Sequence, residues 1–306
     1  MKHSGITPLD THVFFIEAPY KGRFPFCHGF IVTGHETILI DAGLGEDIMR
    51  EMDRIFNIDT LLISHSHPDH IRAWDVFKDK RLLLPRETTD AVMDLEQLGI
   101  QYTGSVETGR HWVETIGKPI GIAPMRKPDD RFKDGDIIDT GGARIQAIHA
   151  PGHLDDHYCF LEQISGTLIT TDIDFTSFGP WYGNPEGRIK PFKDSIRKIM
   201  ALPYTRACSS HKAPIDGDAT KQFHNFLDCF DRQKEDVFRC LATGKTMEEI
   251  VAYSPFYNNK FMDLTIQNAF ETQMIKENLA LLIEEGRVKE IGGRYIPIAP
   301  QRVNSK

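Results

Sequence analysis

The chain is poor in cysteine, and no two cysteines are paired by spacing. Cys27, Cys159, Cys208, Cys229 and Cys240 are the five among 306 residues, and none forms a CxxC. An odd, scattered set gives neither a disulfide framework nor a zinc ribbon; the expectation is small buried apolar side chains in a reducing compartment. Basic excess is lacking too. A formal net charge of −8 suits poorly a surface that holds nucleic acid through phosphate contacts alone, with Arg72, Arg86 and Lys212 as local exceptions. No stretch approaches the roughly 20 apolar residues that span a bilayer. Met1 to Thr11 carries neither an apolar run nor a small-residue cleavage site, so a signal peptide is not expected. The expected location is the cytoplasm, with no membrane or nucleic-acid partner. Internal repeats and low-complexity tracts are also missing, which excludes a solenoid. The remaining composition, 40% hydrophobic and 26% charged, is ordinary for a globular protein of one large domain or two.

Against this plain background stands Leu61-Leu62-Ile63-Ser64-His65-Ser66-His67-Pro68-Asp69-His70. The apolar run reads as a buried strand. In an extended segment alternate side chains share a face, so His65 and His67 point the same way. Pro68 cannot continue a ladder, and the turn there brings Asp69 and His70 to a neighbouring position. The apolar spacing from Ile71 to Phe77 suits a short helix. Imidazole and carboxylate are the ligands that zinc, iron and manganese accept.

Further candidates sit where other strands end. Strands are expected at Val13–Ile16, Phe30–Val32 and Thr37–Ile40, the last running into Asp41-Ala42-Gly43. Asp41 reads either as a turn-former or as a carboxylate that orients a ligating imidazole. A helix over Glu46–Phe56 has Ile48, Met49, Met52 and Ile55 on one side. After a strand at Arg81–Leu84, helices are expected at about Glu87–Leu98 and Ser105–Ile116, followed by a loop from Pro119 to Pro128. Strands Asp136–Asp139 and Arg144–Ile148 lead to Ala150-Pro151-Gly152-His153. Another pair, Tyr158–Leu161 and Thr167–Thr170, ends in Thr171-Asp172, and a short strand near Arg206–Cys208 ends in Ser209-Ser210-His211. Loops at strand ends along one sheet edge are where sites are built. Around Asp172, the run Ile173 to Gly183 is dense in aromatics; Phe175, Phe178, Trp181 and Tyr182 read either as an apolar pocket or as loop packing.

From Asp218 onward the pattern turns helical. Phe223–Leu241 is amphipathic, Thr246-Met247-Glu248-Glu249 is a capping box, Asp263–Glu285 is helical, and Val288–Ile296 around Gly292-Gly293 is a hairpin. This composition change sets a boundary near 215: residues 1–215 as the catalytic domain and 216–306 as a helical extension.

Taken together, these residues resemble the metallo-β-lactamase superfamily of hydrolases. His65-Ser66-His67-Pro68-Asp69-His70 matches HxHxDH, and Asp41, His153, Asp172 and His211 stand in the expected order. The likeness covers roughly Val13 to Ala213. It implies an α/β fold, the αββα sandwich, here with a C-terminal helical, winged-helix-like extension. It also implies a two-metal site with His65, His67 and His153 on one ion and Asp69, His70 and His211 on the other. Asp172 would bridge them. The ions would be two divalent metals, zinc first, with iron or manganese as alternatives. After His153 the sequence reads Leu154-Asp155-Asp156-His157 in place of a small Pro-Gly turn, and this run is similar to one in a bacterial alkylquinolone-pathway thioesterase. His157 then faces the pocket or is a buried, hydrogen-bonded histidine.

The expected activity is hydrolysis of a thioester, ester or lactone by a hydroxide held between two metals, with Asp69 and Asp172 as catalytic carboxylates. In this scheme Ser64 and Ser66 are bystanders. Alternatives are a phosphodiesterase or ribonuclease using the same metals, or a mononuclear iron oxygenase. The expected partner is a small-molecule substrate. The C-terminal helices, with Glu271, Glu277, Glu284 and Glu285, fit a groove in nucleic acid poorly and suit homodimerisation or a lid over the metal edge.

Overall fold

A computed structural model describes residues 5–242 and 244–298. Two sheets face each other. The first contains β1 (Ile6–Pro8), β2 (Val13–Ile16), β3 (Gly29–Val32), β4 (Ile38–Ile40), β5 (Thr60–Leu62), β6 (Arg81–Pro85) and β7 (Asp130–Phe132), in sequence order across the sheet. The second contains β8 (Ile137–Asp139), β9 (Arg144–His149), β10 (Tyr158–Glu162), β11 (Thr167–Thr171), β12 (Arg206–Ser209) and β13 (Ile215–Asp216). Pairing is antiparallel at the start of the first sheet and parallel from β4 to β7; in the second only β11 and β12 run parallel.

Strand alternation sorts the side chains into three layers. Phe15, Phe30, Ile40 and Leu62 from the first sheet meet Tyr158, Phe160, Ile169 and Cys208 from the second between the sheets. Ile31, Leu39, Leu61 and Leu82 face outward onto helices α1 (Glu46–Phe56), α3 (Leu95–Thr103) and α4 (Val106–Trp112). On the far side Cys159, Leu161 and Leu168 pack on α5 (Ile189–Met200) and α6 (Thr220–Cys240). This is the αββα sandwich.

The C-terminal part adds α7 (Met247–Tyr253), α8 (Leu264–Glu284) and the hairpin β14 (Val288–Ile291) and β15 (Arg294–Pro297). Together with the end of α6 they enclose a small cluster of their own, including Val237, Ile250, Leu279 and Val288, in a winged-helix-like arrangement. Thr246 and Glu249 form the expected capping box. The extension is also joined to the sandwich: Ile266 and Phe270 enter the core beneath the first sheet, and Met274 enters that beneath the second.

Local differences from the sequence reading have physical causes. The helix expected over 71–77 is broken: α2 (Pro68–Ile71) opens on Pro68, and a separate 3-10 turn covers Trp74–Phe77. The span 87–98 is likewise not one helix. Asp94 takes extended angles and its Oδ1 accepts from the amides of Glu96 and Gln97, which starts α3 afresh at Leu95. The edge strands β1 and β7 carry too little apolar pattern to be read from the chain. Among the described residues no helix is long and apolar enough to cross a membrane.

Candidate metal centre

β5 delivers His65 and His67 just beyond its last paired residue, and Pro68 at the first turn of α2 carries Asp69 and His70 round beside them. The tight turn after β9 presents His153, the end of β11 presents Asp172, and the end of β12 presents His211. The donor atoms of His65, His67, His153 and Asp172 lie within 4.8 Å of one another, as do those of Asp69, His70 and His211. Asp172 connects the groups. Its Oδ2 is 3.2 Å from His153 Nε2 and 3.7 Å from His65 Nε2; its Oδ1 is 3.0 Å from His70 Nε2 and 3.4 Å from His211 Nε2. All seven side chains predicted as ligands are therefore brought together.

The second nitrogen of every imidazole is engaged, and this sets which nitrogen carries a lone pair inward. His153 Nδ1 donates to Trp181 O at 2.8 Å and His211 Nδ1 to Gly22 O at 2.6 Å. His70 Nδ1 donates to Asp41 Oδ2 at 2.8 Å. Ser64 Oγ donates to the same oxygen at 2.8 Å and so accepts from His65 Nδ1 at 3.0 Å. His67 is reversed: its Nε2 contacts Asn184 Oδ1 at 2.8 Å, leaving Nδ1 for the centre. Asp41 is fully buried and also accepts from the Ser64 amide at 2.7 Å. Asp41 and Thr171 hold positive φ angles of 68° and 47°. For a β-branched residue such as Thr171 that is an outlier of the kind found at functional sites.

Does this set fit a divalent cation? His70 Nε2 and Asp172 Oδ1 are buried and have no hydrogen-bond partner, although they lie only 3.0 Å apart. Two unsatisfied acceptor atoms converging on one point in the interior are costly unless a cation takes them, and imidazole with carboxylate is a divalent-metal donor set. Negative charge draws positive charge to this point: against burial, Cys27, Asp172 and Asp41 raise His70 well above the usual histidine range, so a proton takes the place that a cation would otherwise fill. Burial holds His65 and His67 well below the usual histidine range, so both are neutral. Burial opposes ionisation of Asp172, but the neighbouring His70 and His211 outweigh it and hold the carboxyl well below its usual range. Burial also works against a charge on His211, yet Asp172, Asp69 and Asp174 raise it to about 10.

This arrangement is the signature of a known family. The chain belongs to the metallo-β-lactamase superfamily. The family match spans residues 27–237. Among similar proteins, a hydroxyacylglutathione hydrolase of Francisella tularensis is 28% identical over 167 residues, 54% of each chain. An atrochrysone carboxyl ACP thioesterase of Aspergillus fumigatus is 26% identical over 190 residues, 60% of this chain and 50% of that one. The chain thus spans about half the length of these two relatives. A metallo-β-lactamase family protein from Thermus thermophilus superposes with a TM-score of 0.74 at 19% identity, covering 95% of this chain and 100% of that one. A β-lactamase domain protein from Burkholderia ambifaria gives 0.70 at 16% identity, covering 96% and 93%. Both share the fold, C-terminal extension included. Superfamily membership places the chain among metal-dependent hydrolases.

The centre opens into a cavity of about 860 Å³. Phe178 and Trp181 line it, as the sequence suggested, and Trp181 Nε1 donates to Tyr257 Oη at 2.5 Å. Tyr182 differs. It is fully buried behind that wall, its hydroxyl bonded to Gln233 and Asn278. His157 is likewise buried rather than pocket-facing: Nδ1 donates to Ala150 O at 2.8 Å, and Nε2 faces Thr171 Oγ1 at 2.7 Å and the Asp172 amide at 3.2 Å. It props the strand end that carries Asp172. Ser64 is no bystander, since it links Asp41 to His65. Asn184 and His28 were not foreseen. Asn184 contacts His67 from 117 residues away, and no local pattern marks it.

Proposed function

We propose that this member of the superfamily is a dinuclear hydrolase, zinc-dependent first, acting on a thioester, ester or lactone with a bulky apolar acyl or aryl group. The observation that carries the reading is the division of seven donor side chains into two groups joined at Asp172 beside an aromatic cavity. His65, His67 and His153 would hold one ion, Asp69, His70 and His211 the other, and Asp172 would touch both. When bound, such a pair acidifies water and polarises a carbonyl oxygen. The protein supplies the rest. Asp41, Ser64, Asn184 and the carbonyls of Gly22 and Trp181 fix the imidazoles, so little reorganisation is needed during reaction. Asp69 borders the cavity, with Oδ2 3.4 Å from His211 Nε2, and is the carboxylate placed to take a proton from the attacking water. Tyr102, Trp112, Trp181, Phe178 and Phe270 keep water away and receive the apolar group.

The aromatic lining favours this reading over phosphodiester hydrolysis. The relatives named a thioesterase and a hydroxyacylglutathione hydrolase point to a thioester first. The C-terminal segment 216–306 is proposed as a wall of the pocket: Tyr257, Phe261 and Phe270 all line the cavity, and Glu271 Oε1 accepts from the amide of Tyr257 at 2.9 Å, which pins that corner. This favours the lid over homodimerisation as the reason for the extension. The test is metal content by mass spectrometry with a panel of thioesters, lactones and phosphodiesters. Two ions per chain and thioester turnover are expected, lost in His67→Ala and Asp172→Ala while the circular dichroism is kept. One iron per chain, or full activity in either variant, overturns the proposal.

A further inference from the structure

The cavity has two unlike sides. One is the aromatic wall already described. The other is built where the 19–28 segment meets the 210–214 segment: the His28 amide donates to Ser210 O at 2.8 Å, and His211 Nδ1 donates to Gly22 O at 2.6 Å. Tyr20, Lys21 and Gly22 hold φ angles of 52°, 59° and 66°, a run of left-handed residues that proteins rarely populate outside functional loops. Gly22 has no room for a side chain, since a Cβ there would stand 2.9 Å from His28 Nε2 and 3.0 Å from Ser210 O. The close approach of these segments brings Lys21, Arg23 and Lys212 to the same side of the cavity.

His28 is the informative residue. It is 2% exposed, lies against Phe15 with ring centroids 4.7 Å apart, and lines the cavity. The Ala18 amide lies 3.0 Å from its Nδ1. A backbone amide can only donate, so Nδ1 is the acceptor and a neutral ring must carry its proton on Nε2. Nε2–H has no partner among the described residues. The ring lines the cavity, so this N–H is a donor open to a ligand there. Lys21, Arg23 and Lys212 are exposed, and none is ion-paired among the described residues. Glu17 lines the same side but is already engaged. In a chain of net charge −8, three exposed cations line one cavity, which the carboxylates Glu17 and Asp174 line as well as the ligands Asp69 and Asp172.

We propose that His28 Nε2–H, Lys21, Arg23 and Lys212 form a subsite for an anionic, oxygen-bearing group of the substrate, opposite the aromatic wall. The inference deepens the hydrolase reading and rests on it only in taking this cavity as the substrate's. It narrows the substrate to a two-ended molecule, with an aromatic or acyl group against Trp181 and Phe270 and a carboxylate or phosphate near His28. Carboxylate and phosphate present the same chemistry to these donors, and the test separates them.

Binding to the metal-loaded full chain is measured by calorimetry at low salt with three non-hydrolysable thioethers: S-benzyl glutathione (carboxylates), S-benzyl coenzyme A (phosphates) and neutral S-benzyl N-acetylcysteamine. At least one anionic probe is expected to bind about tenfold or more tighter than the neutral one, a preference that falls with added salt. The stronger of the two names the anion. In Lys21→Ala/Arg23→Ala/Lys212→Ala the preference shrinks towards one. His28→Leu reduces it severalfold, and His28→Gln, which keeps a donor near Nε2, restores part of it. Equal affinity for all three probes overturns the proposal. So does an anionic preference that survives both the triple variant and His28→Leu. Turnover of the matching thioesters is read in parallel: selective binding without turnover strikes the hydrolase reading alone, and turnover without anion preference strikes this one alone.

Discussion

Replacing Asp41 by Asn tests whether the buried carboxylate acts through His70. Asp41 Oδ1 accepts from the Ser64 amide, while Oδ2 accepts from both Ser64 Oγ and His70 Nδ1. Asn keeps the shape but has only one acceptor atom. If its oxygen stays with the Ser64 amide, its NH2 group meets His70 Nδ1–H, donor against donor. The relief is a switch of tautomer that puts the His70 proton on Nε2, the nitrogen that faces Asp172 Oδ1 at 3.0 Å. His70 is then disarmed as a ligand. Loss of such an orienting partner costs about 10–100-fold in metal affinity, roughly 1.4–2.7 kcal/mol. The loss should fall on the ion held with Asp69 and His211 and spare the one held by His65, His67 and His153. Chelator titration followed by mass-spectrometric metal counting reads this as one ion released early and one retained. Equal loss of both ions, or affinity unchanged from the parent, would refute the orienting role.

Gly152 precedes His153 at φ 118°, and a Cβ there would stand 2.2 Å from the Phe192 amide nitrogen and 2.4 Å from its Cα. Gly152→Ala should cost about 2–4 kcal/mol by urea unfolding, and a change below 1 kcal/mol contradicts the tight turn. Burial, with Asp156 nearby, raises the Glu186 carboxyl to about 7. Because the folded value lies above the unfolded one, the charge destabilises the fold progressively as pH rises from about 4.5 towards 7 and fully above that. Glu186→Gln should therefore stabilise the protein by about 1 kcal/mol above pH 7, after allowance for solvent screening, with the gain fading towards pH 4.5; thermal melts across that range should show it. Phe270→Ala removes a ring 5.1 Å from that of Trp181. It should lower stability by about 3 kcal/mol and raise KM for aryl substrates far more than for acetyl ones. An equal rise for both places the ring outside the acyl pocket.

Much of the centre was legible because its ligands obey simple rules. His65, His67, Asp69 and His70 are contiguous and follow a buried strand, so period-two alternation and one proline place them. His153, Asp172 and His211 each close a strand, and the ends of neighbouring strands are necessarily close. The residues that tune those ligands were not legible. Asn184 reaches His67, and Gly22 O accepts from His211, across long separations with no repeating pattern. His157, open in the sequence between a pocket-facing and a buried, hydrogen-bonded imidazole, is the buried one: it sits in a ligand-like run, but both its nitrogens are spent on the backbone and on Thr171. The helix breaks, at Ala73, which leaves helical angles, and at Asp94, whose side chain caps a new helix, fall inside an apolar spacing that looked continuous. The contribution of Phe270 to the cavity depends on α8 folding back on the sandwich, which periodicity alone does not reveal.

The most direct check of the central claim is anomalous diffraction from crystals of the metal-loaded protein at the edge of the metal found by mass spectrometry. Two peaks are expected beside Asp172, one among His65, His67 and His153 and the other among Asp69, His70 and His211. A single peak, or peaks away from Asp172, would contradict the claim.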